Sequence, residues 1–218
     1  MAMIQHKVVF VGNSAVGKTS IINQYMYDSV SADHQPTVGI DFFAKTVNYE
    51  GKSIRMQIWD TAGQEKFHSL IPSYIRDSTV AIFVFDITSR SSFEDLEKWF
   101  KMVLDIANPR LIIVGNKCDL DAEREVTKDD AEKYAIIKSA DYIETSAIAP
   151  TNITELFNLI ASTPSESEST PQNTNQLALD TTPRQALPAP EPTPAAAPAP
   201  SVDLTKPANP QAGGGCSC

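Results

Sequence analysis

Short apolar runs alternate with amphipathic stretches along the first 161 of the 218 residues. Lys7–Val11, Val80–Phe85 and Leu111–Val114 are nearly continuous runs of β-branched and aromatic residues, as is typical of buried parallel strands. Asp41–Tyr49 and Ser53–Trp59 instead alternate polar and apolar residues around a Glu-Gly pair, which predicts an antiparallel hairpin. The pattern therefore indicates a sheet with one antiparallel edge.

Amphipathic segments between these runs predict helices. One helix is expected over Gly17–Tyr27, and Ser91 with Glu94 forms a capping-box pattern that opens another. Apolar residues recur at helical spacing in two segments: Phe93, Leu96, Phe100 and Val103, and Ile153, Leu156, Phe157 and Ile160. Strands that alternate with helices predict an α/β fold in which helices cover both faces of a mostly parallel sheet.

The last part of the chain has a different composition. Residues 162–218 carry 11 of the 15 prolines and no aromatic residue, with a Ser/Thr/Glu-rich start and a Pro-Ala stretch. Such a segment cannot bury enough apolar surface to offset its ordering entropy. We therefore expect a folded domain over residues 1–161 and a disordered Pro/Ala/Ser-rich tail over residues 162–218.

Charge and cysteine content exclude several classes of protein. The net charge of −9 lacks the basic footprint of a nucleic-acid-binding protein, so no nucleic-acid partner is expected. No apolar run approaches the length of a membrane span, and the first residues do not look like a secretory signal. Three cysteines, two of them in the last three positions, do not form a disulfide framework. These features favour a protein that faces the cytosol.

The strongest chemical motif is Gly12–Thr19, which reads G-x-x-x-x-G-K-T between a predicted strand and a predicted helix. In such a loop the backbone N–H groups and the helix N-terminus attract phosphate. Lys18 can reach the β- and γ-phosphates, and the hydroxyl of Thr19 can bind Mg²⁺. The alternative is an ordinary glycine-containing turn between strand and helix. In this context the motif predicts a nucleoside triphosphate site without identifying the base.

A second motif, Asp60–Gln64, follows directly after a predicted strand. The Asp60 carboxylate can hold the Mg²⁺ hydration shell, because Mg²⁺ usually keeps several waters. The Gly63 amide can approach the γ-phosphate, and the Gln64 amide can orient an attacking water. D-x-x-G alone is a common turn, but downstream of a phosphate-binding loop it favours nucleotide hydrolysis.

A third motif, Asn116-Lys117-Cys118-Asp119, follows the strand Leu111–Gly115. A carboxylate in this loop can accept from both N1–H and the N2 amino group of guanine, whereas adenine would leave it unpaired. N-K-x-D alone is a frequent exposed loop. After the penultimate strand of the predicted sheet, it indicates recognition of guanine.

Together these motifs resemble those of the small Ras-like GTPases, and within them the Rab branch, over nearly the whole predicted domain. Val38–Phe42, Trp59–Gln64 and Glu144–Ala147 look like Rab signatures at the expected spacing. Leu70–Ala81 and Met26–Ser29 are similar to the Golgi-associated Rab six subgroup. The resemblance implies a P-loop GTPase fold with a six-stranded sheet and about five helices.

The resemblance also implies the site, with GTP and GDP as substrate and product and Mg²⁺ as cofactor. The expected catalytic residues are Gln64, Lys18 and Gly63. The expected metal residues are Thr19, Thr37 and Asp60. The expected nucleotide-binding residues are Ser14, Ala15, Val16, Gly17, Lys18, Thr19, Ser20, Thr37, Gly63, Asn116, Lys117, Asp119, Ser146, Ala147 and Ile148.

By the same resemblance, the protein is a switch in vesicle traffic that hydrolyses GTP slowly without an activating protein. The implied partners are an exchange factor, an activating protein, a dissociation inhibitor, a prenylation escort and effectors. Cys216 and Cys218 are the expected sites of two geranylgeranyl groups, since two chains anchor a protein stably where one does not. The expected location is the cytoplasmic face of Golgi or other secretory or endosomal membranes, with cycling through the cytosol.

Three residues depart from the pattern of these GTPases. Val30 replaces a Phe that packs against guanine, Ile148 replaces a Lys of the base loop, and His34 replaces a common Tyr. Val30 predicts faster GDP release than in relatives. A membrane-tethered scaffold with weakened nucleotide binding is therefore the alternative hypothesis. A P-loop kinase would need a lid insertion for its acceptor, and the sequence contains no such insertion.

Overall fold

The computed structural model describes residues 3–29, 37, 39–61 and 71–164, and this part of the chain contains one sheet and seven helical segments. The strands are β1 (Ile4–Val11), β2 (Ile40–Tyr49), β3 (Lys52–Thr61), β4 (Val80–Asp86), β5 (Arg110–Asn116) and β6 (Asp141–Thr145). The helices are α1 (Lys18–Tyr27), α2 (Ile71–Ile75), α3 (Arg90–Glu94), α4 (Leu96–Leu104), the 3₁₀ helix Cys118–Glu123, α5 (Lys128–Lys138) and α6 (Ile153–Ala161).

The six strands form one sheet in the order β2-β3-β1-β4-β5-β6. All neighbours pair in parallel except β2 and β3, which pair antiparallel from Ile40–Thr61 to Tyr49–Lys52. The hairpin turns at Glu50 and Gly51, whose φ angles of 50° and 76° suit a two-residue turn that follows the strand twist. The predicted hairpin and the predicted α/β class are confirmed.

The hydrophobic core lies on both faces of the sheet. Alternate residues of β1 point to opposite layers, so that Val8 and Phe10 face α1 and α6 while Val9 and Val11 face α2, α3, α4 and α5. The ring of Phe83 stacks on that of Phe100 with centroids 3.8 Å apart. The strands read as nearly continuous apolar runs because both of their faces are buried. The apolar residues that the pattern assigned to helices α3, α4 and α6 are buried as well.

The start of the helix after β4 differs from its prediction. The capping box at Ser91 is wrong, because Ser89 is the N-cap and its side chain accepts from the backbone N–H of Ser92. Ser89 is extended, at φ −136° and ψ 100°, because Asp86 binds Thr88 and turns the chain just before it. The predicted single helix is divided into α3 and α4 at Asp95, whose backbone angles remain helical.

Two further bounds also differ. Helix α1 begins at Lys18 rather than Gly17, because Gly17 adopts a left-handed conformation and serves as the N-cap. Six α-helices occur in the described ranges, where about five were expected, since α3 and α4 are separate segments. None of these helices is both long and apolar enough to cross a lipid bilayer.

Candidate functional site

The phosphate-binding loop connects β1 to α1 at the carboxyl edge of the parallel strands. Its backbone needs positive φ angles at Gly12 (144°), Ala15 (62°) and Gly17 (96°). A Cβ atom on Gly12 would lie 2.2 Å from the carbonyl oxygen of Val84, so the loop passes too close to β4 for any side chain there. The sequence G-x-x-x-x-G therefore lets the loop fold tightly against the sheet.

Lys18 is held inside this loop. Its side chain is buried, and Nζ donates to the carbonyl oxygens of Gly12 and Asn13, each at 2.8 Å. Burial lowers the pKa of Lys18 to about 8, and the nearby Asp60 carboxylate partly opposes this shift. The loop thus places an ammonium group among its own backbone atoms, where a phosphate could bind both.

The other expected loop residues lie around Lys18. Ser14 and Ala15 are exposed at the tip of the loop, whereas Val16 is buried and packs in the core. Ser20 is half-buried in the first turn of α1. The loop therefore combines an exposed tip with a base that is fixed to the core.

The three expected metal residues meet although they come from three separate segments. Thr19 Oγ1 lies 2.6 Å from Thr37 Oγ1 and donates to Asp60 Oδ2 at 2.5 Å. Asp60 ends up here because β3 pairs in parallel with β1, in a register that sets Asp60 opposite Phe10. Side chains from α1, β3 and the segment before β2 therefore converge on one point.

The chemistry of this cluster fits Mg²⁺. The Asp60 side chain is fully buried, and its Oδ1 atom has no hydrogen-bond partner within the described part of the chain. Burial raises the pKa of Asp60 to about 6, against the opposing effects of Thr19 and Lys18. Two hydroxyls and one carboxylate are hard oxygen ligands of the kind Mg²⁺ prefers. Within the described ranges, no group of three or more His, Cys, Asp and Glu side chains could hold a metal ion, and this cluster contributes one carboxylate.

Asn116 joins the expected base-binding residues to the phosphate loop. It is the last residue of β5 and is buried; its Nδ2 donates to the carbonyl oxygen of Val16 at 2.8 Å. Its Oδ1 accepts from the hydroxyl of Thr145 at 3.1 Å. A Cβ atom on Gly17 would lie 2.2 Å from Asn116 Nδ2, so the contact requires glycine at that position.

The rest of the N-K-x-D motif lies at the start of the 3₁₀ helix. Lys117 has a left-handed φ of 66°, and its Nζ forms an ion pair with Asp86 Oδ2 at 2.5 Å. Asp119 is exposed in the first turn of the 3₁₀ helix. The β5–β4 pairing explains the ion pair, because Asn116 lies opposite Asp86.

The loop after β6 lies at the same edge of the sheet. Ser146 and Ala147 are buried, and the backbone of Ser146 pairs with that of Thr151. The Ser146 hydroxyl accepts from the N–H of Ala149 at 3.0 Å. Ile148 is different, since 66% of its surface is exposed. The structure therefore builds Ser146 and Ala147 into the sheet edge and leaves the Ile148 side chain in solvent.

An ion pair between the end of the 3₁₀ helix and β6 was not predicted from the sequence. Arg124 binds Glu144 through two nitrogens, at 2.8 and 3.0 Å, and Tyr142 donates to the same carboxylate at 2.8 Å. Asn152 Nδ2 donates to the carbonyl oxygen of Glu144 at 2.8 Å. The hydrogen bond with Glu144 raises the pKa of Arg124 above its already high ordinary value. The motif that contains Glu144 was a signal for one partner, but nothing in the spacing pointed to Arg124.

Several expected functional residues lie outside the described residues. They are Val30, His34, Gly63, Gln64, Cys216 and Cys218. Their assigned roles stay predictions.

A sequence model of the Ras family matches residues 7–165, well over half of the chain. The protein belongs to the Ras family. It is therefore a small GTPase. Members of this family generally bind GTP, GDP and Mg²⁺, hydrolyse GTP, and interact with exchange factors, activating proteins and effectors. The predicted Ras-like class is confirmed, while the Rab assignment stays a prediction.

Proposed function

We propose that this small GTPase is a Rab-type switch, anchored by lipid to a Golgi-related membrane, that controls vesicle traffic. The Rab-like segments Val38–Phe42, Trp59–Gln64 and Glu144–Ala147 support the branch, and the Rab six-like segment Leu70–Ala81 supports the location. The terminal Cys216 and Cys218 support a double lipid anchor. The acidic chain offers no basic cluster that would assist a single lipid on an anionic membrane.

The contact between Thr37 and Thr19 is the observation on which the proposed switch mechanism rests. Thr37 lies in the connection between α1 and β2, and its hydroxyl reaches the residues that fit Mg²⁺. A bound Mg²⁺ would be held by Thr19, by Thr37 and, through water, by Asp60, and would offset negative charge on the phosphates. Because the Thr37 hydroxyl is an expected ligand of this Mg²⁺ ion, the position of Thr37 should depend on whether the γ-phosphate and Mg²⁺ are bound.

The phosphate loop and Lys18 supply the remaining charge for binding. Backbone N–H groups at the start of α1 and the Lys18 ammonium bind the phosphates, while Gly63 and Gln64 are assigned to the γ-phosphate and the attacking water. Hydrolysis then needs little covalent chemistry from the protein, since positioning and charge stabilisation dominate phosphoryl transfer. We expect slow intrinsic hydrolysis that an activating protein accelerates.

Recognition of the base is assigned to Asp119, and Asn116 holds the N-K-x-D loop against the phosphate-binding loop. The exposed Asp119 carboxylate can accept both guanine donors, and the buried Asn116 fixes the distance between the base and phosphate loops through Val16. Ser146 and Ala147 belong to the loop after β6, which is assigned to the other side of the base. This assignment makes guanine nucleotides the substrate class.

An aromatic surface beside the switch supports effector binding. Phe42 is 49% exposed, and its ring lies 4.7 Å from that of Trp59, which in turn lies 4.9 Å from Tyr74. The three residues belong to β2, β3 and α2, next to the segments expected to respond to the γ-phosphate. Exposed aromatic residues are enriched at protein interfaces.

The first test identifies the nucleotide that the protein carries. The full chain is purified in Mg²⁺ and denatured, and the released nucleotide is identified and counted. About one guanine nucleotide per chain supports the switch. A protein that is empty and cannot be loaded with GTP would instead favour the scaffold hypothesis suggested by Val30 and Ile148.

The second test concerns the lipid anchor. Partitioning between membrane and cytosol is measured in cells for the full chain and for Cys216→Ser, Cys218→Ser and the double variant. Each single variant should lose stable membrane association, because one lipid anchors only marginally. Cys118→Ser is the matched control, because Cys118 lies in the folded domain. Full membrane retention of the double variant would contradict the proposed anchor.

A further inference from the structure

Asn13, the second residue of the phosphate loop, is bound through both its side chain and its backbone. Its Nδ2 donates to Asp95 Oδ2 at 2.8 Å, and its Oδ1 accepts from Trp99 Nε1 at 3.0 Å. Its carbonyl oxygen accepts from Lys18 Nζ at 2.8 Å. The residue that holds the Lys18 ammonium is therefore itself held by two residues from the region of α3 and α4.

The chemistry of these partners fixes the orientation of the Asn13 amide. An ionised carboxylate can only accept, and an indole N–H can only donate, so the amide nitrogen must face Asp95 and the oxygen must face Trp99. The hydrogen bond from Lys98 and, to a smaller extent, the one from Asn13 lower the pKa of Asp95 and so favour its charged form. The amide has one arrangement that satisfies both partners.

The two anchors are themselves firmly placed. Trp99 is 3% exposed and packs in the core layer that contains Phe83 and Phe100, so its indole N–H has little room to move. Asp95 lies between α3 and α4, and its backbone N–H and carbonyl oxygen bind to both helices. Asn13 is thereby fixed to the core through contacts that span 82 and 86 positions of sequence.

We propose that Asn13 is a positioning residue that couples the phosphate loop to the junction of α3 and α4. Its side-chain bonds to Asp95 and Trp99 orient the backbone carbonyl that holds Lys18, and so set where the ammonium meets the phosphates. Movement of the α3–α4 junction would change nucleotide retention through this residue. The inference rests on the proposed role of Lys18 in binding phosphate.

The test measures how fast a fluorescent GDP analogue leaves the full chain in Mg²⁺. Asn13→Ala should release it roughly tenfold faster, the equivalent of about one charge-assisted hydrogen bond. Trp99→Phe and Asp95→Ala should each raise the rate several-fold. The double variant Asn13→Ala/Trp99→Phe should be no faster than Asn13→Ala alone, because both changes remove the same contact.

Lys98→Ala is the matched control. It removes the ion pair that Lys98 forms with Asp95 and leaves the Asn13 contact intact, so the release rate should not change. Asp95→Ala provides a second test in case Trp99→Phe folds poorly. It should not disturb the start of α4, because the Asp95 side chain makes no capping hydrogen bond to that helix. Unchanged release from Asn13→Ala, or rates that simply multiply in the double variant, would overturn the proposal.

Fluorescence supplies a readout that a purely structural role would not move. The chain has two tryptophans, so Trp59→Phe leaves Trp99 as the single emitter. Removing nucleotide with EDTA should shift its emission, and adding Asn13→Ala should abolish the shift. A shift that survives Asn13→Ala would contradict the coupling. If the parent chain carries no guanine nucleotide, the proposed function fails as well; a loaded parent with an unaffected Asn13→Ala variant refutes only this inference.

Discussion

The site has a phosphate end, formed by Gly12–Thr19 with Thr37 and Asp60, and a base end, formed by Asn116–Asp119 and the loop after β6. The two ends satisfy their buried polar groups in different ways. At the phosphate end, burial lowers the pKa of Lys18 to about 8 and raises that of Asp60 to about 6, and Asp60 Oδ1 has no hydrogen-bond partner among the described residues. At the base end, Asn116 makes two side-chain hydrogen bonds, Lys117 pairs with Asp86, and Glu144 binds Arg124 and Tyr142.

This difference indicates which end depends on a ligand. Groups whose charged forms are disfavoured by burial cost stability unless phosphate or a cation compensates them. Groups already paired within the protein contribute to stability on their own. Nucleotide and Mg²⁺ should therefore stabilise the protein chiefly through the phosphate end, while the base end is largely preformed.

The largest effect should come from breaking the contact between the two ends. In Gly17→Ala, the new Cβ would lie 2.2 Å from Asn116 Nδ2 at a φ of 96°, so both strain and a lost hydrogen bond are expected. We expect the free energy of unfolding to fall by roughly 3–5 kcal/mol. Denaturant unfolding measures this, and nucleotide content should fall with it.

Gly51→Ala is the matched control for backbone strain. Gly51 also has a positive φ, 76°, but apart from Gly51 and its two chain neighbours no described residue places a heavy atom within 4 Å of its Cβ position. Its substitution should cost only about 1–2 kcal/mol. Equal losses in the two variants would show that the contact between the ends adds nothing.

A smaller effect is expected from the base end alone. Arg124→Ala removes a bidentate ion pair whose two side chains are 19% and 15% exposed, and it leaves Glu144 without its main partner. The free energy of unfolding, measured by denaturant titration, should fall by about 1–3 kcal/mol. Nucleotide release, measured in a release assay, should become faster. Arg90→Ala is the control, because its ion pairs involve side chains at least 47% exposed and should contribute below about 0.5 kcal/mol. Similar losses in both variants would argue against a preformed base end.

Val30→Phe tests the base end from the opposite direction. The sequence predicts that the missing aromatic contact costs about 0.5–1.5 kcal/mol, so restoring it should slow GDP release roughly 2- to 12-fold. Val30→Leu separates added bulk from an aromatic contact and should have the weaker effect. An unchanged release rate in Val30→Phe would refute the prediction.

The smallest effect should come from His6, which belongs to neither end. Burial and the Arg110 charge lower the pKa of His6, so the folded state binds its proton less readily than the unfolded state does. Neutral His6 therefore favours the folded state above about pH 6.5, the ordinary pKa of His in the unfolded chain. This contribution is lost as the pH falls from there through the lower pKa of His6 in the folded state, and it amounts to about 1.4 kcal/mol for each unit by which folding lowers the pKa. His6→Gln should flatten this loss of stability in unfolding curves below pH 6.5. An unaltered slope would mean that other groups cause it.

Much of the fold could be predicted because its signals are local. Val80–Phe85 and Leu111–Val114 are apolar throughout since the strands that contain them are buried on both faces. The Glu50-Gly51 turn was predictable because it needs two positive φ angles. The helix cap after β4 was not, since three serines were available within four residues and the turn at Asp86 selected Ser89.

The sequence by itself determined the family, the α/β class and the three motifs, because each depends on residues that are close along the chain. The tertiary structure decided which side chains meet. Thr37 reaches Thr19, Arg124 binds Glu144, and Asn13 binds Asp95 and Trp99, only because strand register and helix packing bring distant positions together. Periodicity and spacing carry no information about such pairs. The strand register and helix packing that bring them together are stabilised by apolar burial across the whole sheet, not by residues that are neighbours in sequence.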